Sequence, residues 1–249
     1  MSKTHDAFLR AEKKYQKDSR HSFYKIQKPV LAKSSIQGDQ FLAPEPFESL
    51  KANLISRYAG ANLKSILFNG ICHGSGCTTT ALNFANSMTL DPKRTVLLVD
   101  LKLNLPLPRR AYHHAKAPNI SGFIADSKHL TSQVEKVGPG NLYAVSCAAR
   151  SLSGPVGFFE SSEFDRFIRS IYDRFDYLIL DAPPVLMYSE FRILCSNMDG
   201  VVLVLESGKA RRQVALRAKK EIVEAGGRIL GVVLNRRKYY IPETIYKRL

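Results

Sequence analysis

The chain has 249 residues and 45% hydrophobic content, enough to fill the core of one large α/β domain. No apolar run approaches the ~20 residues that span a bilayer, and the start is polar and basic, so a soluble, cytoplasmic protein is expected rather than a helical membrane protein. Four scattered cysteines exclude a disulfide framework, and a net charge of +15 favours anionic partners.

That charge is unevenly distributed. Residues 1–33 carry nine Lys/Arg against three Asp/Glu (+6), and residues 209–249 carry twelve against three (+9), so residues 34–208 sum to zero. Basic ends on a neutral body suit a phospholipid surface, an acidic protein tail or nucleic acid. The plainer alternative is that they only keep the protein soluble.

Residues 1–40 lack sustained periodicity and are read as a basic, flexible arm, with residues 41–249 forming one domain. Pro44-Glu45-Pro46 opens a helix with Phe47, Leu50, Leu54 and Ile55 on one face. Ser65–Phe68 is a predicted strand, followed by a glycine-containing loop over 69–77 and a helix from Thr78 to Leu90. Further strands are predicted at Thr95–Val99, Leu142–Ser146, Tyr177–Leu180, Val201–Leu205 and Ile229–Leu234. Helices fall at Ser162–Arg174, with Phe164, Phe167, Ile168 and Ile171 on one face, and at Gln213–Ala225, capped by Gly226-Gly227. Continuous Val/Ile/Leu strands separated by helices predict a mostly parallel sheet covered on both faces, a three-layer α/β sandwich. Ligands of such sheets bind at the carboxyl ends of the strands, where Gly74, Asp100, Asp181 and Asn235 fall.

The loop Asn69-Gly70-Ile71-Cys72-His73-Gly74-Ser75-Gly76-Cys77-Thr78-Thr79 joins a strand to a helix. Its glycines let backbone N–H groups turn toward an anion, and the helix N-terminus adds its dipole. An intact Walker loop ends in Gly-Lys-Ser/Thr, with the lysine on the terminal phosphates and the hydroxyl on Mg²⁺. Here the run is Gly76-Cys77-Thr78, so the hydroxyl survives and the charge does not. A plain strand–helix turn explains the loop alone equally well. Asp100 and Asp181 each close a strand, where a carboxylate can hold Mg²⁺ or orient a water beside a phosphate. Together, in this order, the three features point to nucleotide-binding ancestry. Cys72, His73 and Cys77 also raise a metal site, although no second ligand pair follows at zinc-finger spacing. Cys77 at a helix N-terminus raises the further prospect of a low-pKa, reactive thiol, against the plainer reading of an inert one.

From Pro44 to Leu249 the chain resembles the bacterial tyrosine kinases (BY-kinases) of capsule and exopolysaccharide synthesis, themselves similar to the MinD/ParA-type P-loop ATPases. Gly74-x-Gly76-x-Thr78-Thr79 resembles the end of the family's Walker A loop. Val96-Leu97-Leu98-Val99-Asp100 resembles its second Walker motif, and Asp181-Ala182-Pro183-Pro184 its Walker B. Leu234-Asn235-Arg236 matches the base-recognising stretch, and Tyr239-Tyr240-Ile241-Pro242 resembles tails of exopolysaccharide members. The resemblance implies a P-loop NTPase-like fold with ATP/ADP and Mg²⁺ as cofactors. The implied nucleotide-binding residues are Gly74, Ser75, Gly76, Cys77, Thr78, Thr79, Lys102, Asn235 and Arg236. Thr78, Asp100 and Asp181 would hold Mg²⁺, with Asp100 and Asp181 catalytic if the enzyme is active. Tyr239, Tyr240 and Tyr246 are the candidate phosphotyrosines.

The departures from the family are equally specific. Cys77 replaces the Walker A lysine, Lys102 replaces a further aspartate of the second Walker motif, and Glu45 is followed by Glu48 and Lys51 instead of two arginines. The expected outcome is a pseudokinase-like member with little or no kinase activity. It would partner the cytoplasmic tail of an inner-membrane polysaccharide co-polymerase, at an anionic membrane surface, and could form a homo-oligomer. The alternatives are an active tyrosine autokinase and a ParA/MinD-like positioning ATPase; the lack of a recognisable DNA-binding motif argues against nucleic acid. Lys102 has two readings: it turns inward and supplies the charge Cys77 lacks, or, the reading favoured from sequence, it points to solvent beside an empty pocket.

Overall fold

The computed structural model describes residues 45–102, 134–137, 140–147 and 154–237. The arm at 1–40, the tyrosines Tyr239, Tyr240 and Tyr246, and the tail from Pro242 to Leu249 lie outside them. The elements in chain order are α1 (Glu45–Arg57), β1 (Ser65–Gly70), α2 (Cys77–Met88), β2 (Val96–Asp100), β3 (Glu135–Lys136) and β4 (Leu142–Ser146). They continue with α3 (Gly154–Phe159), α4 (Ser162–Tyr172), β5 (Tyr177–Ala182), α5 (Phe191–Asn197), β6 (Gly200–Glu206), α6 (Arg212–Glu224) and β7 (Ile229–Asn235).

The described strands form one sheet in the order β3-β4-β2-β5-β1-β6-β7, parallel except for β3, which runs antiparallel to β4. Alternation along each strand divides the core into two clusters. Leu67, Leu97, Val99, Leu178, Leu180, Val201 and Leu203 face one side, where Phe164, Phe167 and Ile171 of α4 and Ala218 and Ile222 of α6 pack. Ile66, Phe68, Leu98, Ile179, Val202 and Val204 face the other, against Leu54 of α1 and Ala81, Phe84 and Met88 of α2. This is the expected three-layer sandwich. Its central strands read as unbroken apolar runs because both faces are covered.

Local chemistry sets the element ends. Ser161 caps α4 by accepting from the Phe164 N–H at 3.2 Å. Gly226, with φ of 80°, closes α6. Its N–H reaches the Val223 carbonyl while that of Gly227 reaches Ile222, the paired bonds of a left-handed helix stop. Lys51 of α1 donates to the Ser87 carbonyl at 2.9 Å, so a basic side chain satisfies the last turn of α2.

Three elements have no counterpart in the sequence reading. β3 has only two residues, α3 begins at Gly154-Pro155, and α5 spans only two turns, so none carries a periodic signal. β1 also outruns its predicted end at Phe68. Asn69 pairs in register with Ala182, and Gly70 with Val204, which shortens the loop to 71–76. Among the described residues no helix is long and apolar enough to cross a membrane.

The Phe158, Phe159 and Phe164 rings meet one another edge-on or tilted on one face of the sheet, and Phe164 also meets Phe167. Phe167→Ala is expected to lower unfolding free energy by about 3–5 kcal/mol, measured as a shifted urea midpoint with unchanged slope.

Candidate functional site

The site begins where β1 gives way to α2. Gly74 and Gly76 have φ of 80° and 84°, the left-handed region that favours glycine. Gly76 also admits a close approach: a Cβ there would lie 2.0 Å from the Asn235 amide nitrogen. Gly76 is the N-cap of α2 and supplies no capping side chain, so the first amides of the helix face an open cradle. Two neighbours hold that cradle. Asn235, at the end of β7, donates from Nδ2 to the Ser75 carbonyl at 2.9 Å. Ser75 itself is buried, and its hydroxyl fills the space where a Gly70 side chain would stand. Of these two residues, then, Ser75 can offer an anion only its backbone, and the Asn235 amide is already engaged with the loop.

Parallel register brings in the carboxylates. Asp100 and Asp181 are partners across β2 and β5, and strand parity points both toward α2. Asp100 Oδ1 accepts from the Lys102 N–H at 3.2 Å, and Ser146 Oγ lies 3.4 Å from Oδ2. Burial, together with the neighbouring Asp181, raises the Asp100 pKa to about 7 despite those bonds and Lys102. The Lys102 side chain turns inward and is only 12% exposed. Its Nζ donates to Thr78 Oγ1 and to Asp181 Oδ2. Burial is the largest influence on Lys102 and acts to lower its pKa, but the charge and hydrogen bond of Asp181, with a smaller part from Asp100, outweigh it. The net shift is upward and the ammonium stays charged. Lys102 therefore does not point to solvent.

Cys77 opens α2 as a buried thiol. Burial first, then Asp181, push its pKa well above the usual value, against the weaker pull of Lys102. The helix dipole does not prevail, and the thiol is protonated and inert rather than activated. Cys147 is raised in the same way by burial and Asp100, and Cys195 is pushed up to about 12 by burial. Cys195 packs as a small apolar residue in the core. Cys72, His73 and Cys77 do not form a metal centre: among the described residues no group of three His/Cys/Asp/Glu is arranged to hold a metal ion. His73 Nε2 instead meets the Tyr188 hydroxyl at 3.2 Å.

Thr78, Asp100, Lys102 and Asp181 thus converge at the cradle. Thr79 accepts through its carbonyl from the Asn83 amide at 2.8 Å, and Arg236, with φ of 56°, pairs with Glu206 at 3.4 Å. Asn69 gave no functional signal. It is a buried polar residue at the end of an apolar strand, and its Nδ2 ties β1 to the Pro183 carbonyl at 2.9 Å, fixing the corner that carries Asp181. Its placement in the apolar run was the one available clue. The backbone cradle fits a phosphate. The oxygens of Thr78 and Asp181 do not fit Mg²⁺ as they stand, because the Lys102 ammonium already spans them.

The comparisons agree with this architecture. No family model matches the chain. Tyrosine-protein kinase YwqD of Bacillus subtilis is 24% identical over 214 residues, 86% of this chain and 88% of that protein. Tyrosine-protein kinase CpsD of Streptococcus pneumoniae is 27% identical over 194 residues, 78% and 84% of the two chains. The chain is a homologue of the bacterial tyrosine-protein kinases. The crystal structure of the chimerical protein CapA2B2 superposes with a TM-score of 0.72 at 21% identity, over 81% of this chain and 88% of that one. The fold is therefore that of BY-kinase domains, shared with ParA-family ATPases.

Two outcomes follow from the titrating groups. Native protein at about pH 8 should leave Cys77, Cys147 and Cys195 unlabelled by a thiol reagent, whereas all four cysteines react after denaturation. Between 3.8 and about 7, native Asp100 holds a proton that the unfolded chain has released, so this group makes stability fall as pH rises through that window. Asp100→Asn should remove that slope from urea melts taken across the window.

Proposed function

We propose that this chain is a BY-kinase-like protein of capsule or exopolysaccharide biosynthesis whose phosphoryl-transfer chemistry has been largely lost. It would act in the cytoplasm at the inner face of the membrane, docked on the cytoplasmic tail of an inner-membrane polysaccharide co-polymerase. The observation that carries this reading is Cys77. A buried, neutral thiol heads α2 inside an otherwise intact phosphate cradle, at the position from which the family's lysine would reach the phosphates.

Phosphoryl transfer relies on positioning and on fixed positive charge around the migrating group. The nearby cation, Lys102, is bound to Asp181 and so is largely neutralised. Loss of the clamping charge is worth several kcal/mol at the transition state, about 10³-fold in rate. The scaffold, by contrast, keeps its sheet register, glycine conformations and Asn235 tether, so a docking surface can persist without the chemistry. Homology to tyrosine-protein kinases supports the pathway class. Exposed Arg212, Arg217, Lys219 and Lys220 on α6, together with the basic ends, support placement beside an anionic leaflet.

Incubation with labelled ATP and Mg²⁺, followed by phosphotyrosine detection, should give no signal above background. The co-polymerase tail should still co-purify with the chain without added nucleotide. Strong labelling that Asp181→Ala abolishes would overturn the reading, as would docking that requires ATP.

A further inference from the structure

We propose that the Lys102 ammonium is a tethered cation occupying the divalent-metal position of this fold, so that the wild-type cradle works without Mg²⁺. The inference rests on the phosphate-cradle reading above and deepens it. Lys102 differs in role from the lost Walker lysine: it does not replace Cys77's missing charge on the phosphates. It fills the gap between a hydroxyl and a carboxylate where a divalent ion would sit.

The geometry builds outward from the backbone. Leu101 is fully buried, and its N–H donates to the Asp181 carbonyl at 2.9 Å, extending the β2–β5 ladder by one residue. The Lys102 N–H then bonds the Asp100 carboxylate, which fixes the start of the side chain. From there the four-carbon stem runs inward to Thr78 Oγ1 on α2 and Asp181 Oδ2 on β5. One ammonium thus clasps three elements, as a metal ion would. It differs from a metal in being covalently attached, singly charged and unable to dissociate. An ammonium has three donors, and Thr78 and Asp181 account for two of them. The remaining oxygen of Asp181, Oδ1, is buried and accepts from no N–H or O–H group, with only the weakly donating Cys77 thiol beside that carboxylate, as expected of a ligand set in which one cation has taken the place of a higher-coordinate one.

A carboxylate this buried requires a counter-charge. Lys102 supplies it permanently, and a divalent ion entering between the same oxygens would have to displace it against like-charge repulsion. Removing the ammonium should therefore expose Thr78, Asp100 and Asp181 as a vacant metal site.

Manganese serves as the probe, because free Mn²⁺ is read directly by electron paramagnetic resonance and needs no catalysis. The full-length wild type is expected to bind Mn²⁺ at least about tenfold more weakly than Lys102→Ala or Lys102→Met. The methionine variant keeps the apolar stem and guards against simple misfolding. Equal Mn²⁺ affinity in wild type and variants would overturn the proposal, as would a lack of uptake by variants that retain native circular dichroism. Neither readout depends on phosphoryl transfer. Phosphotyrosine formation alongside Mn²⁺ exclusion would count against the loss of chemistry alone.

Discussion

Asp181 is almost wholly excluded from solvent, and its position follows from β5 lying between β1 and β2 in strict parallel register. A carboxylate in such a place must be neutralised, paired or coordinated. Here it is paired, and the partner arrives from the neighbouring strand's exit turn two residues beyond Asp100. The conformation of the site follows from that ion pair. It ties the first turn of α2 to β5 through Thr78 and keeps Cys77 beside a negative charge that suppresses its ionisation.

The cradle is held by contacts independent of the pair. Asn235 reaches across from the last strand to the Ser75 carbonyl, Ser75 packs over Gly70, and Asn69 secures the Pro183 corner. These bonds connect the carboxyl ends of β1, β5 and β7, so the loop is shaped by the sheet rather than by a bound ligand. This explains how charges inside the site can change while its outline persists. Backbone geometry depends on glycine conformations and register, whereas chemistry depends on a few side-chain termini.

The opposite ends of the strands show the same economy with carboxylates. Asp199 accepts from the Lys64 and Ser65 N–H groups and from the Ser65 hydroxyl at the start of β1. Asp176 accepts from the N–H and hydroxyl of Thr95 before β2, and those bonds hold its pKa below the usual range. Each satisfies backbone donors that would otherwise be stranded where a parallel strand begins. The acidic residues of the core sheet therefore divide by position: those at the amino ends organise backbone, and those at the carboxyl ends face the cradle.

The main strands and helices, the two-sided core and the cluster of Gly74, Asp100, Asp181 and Asn235 at one sheet edge were legible in the sequence. Continuous apolar strand runs, period-3.6 helix faces and strand-ending aspartates are local patterns. The short elements β3, α3 and α5 were not, because their lengths carry no period and tertiary contacts alone define them. The direction of Lys102 was equally beyond the sequence, since a lysine after a strand has the same local description whether it meets water or a buried carboxylate. Cys77 likewise reads as a helix-terminal thiol open to activation until burial and Asp181 are seen around it. Sequence thus determined the scaffold and the identity of the exchanged residues. Only the tertiary structure decided where their charges go, because electrostatic partnership depends on distances across strands far apart in the chain.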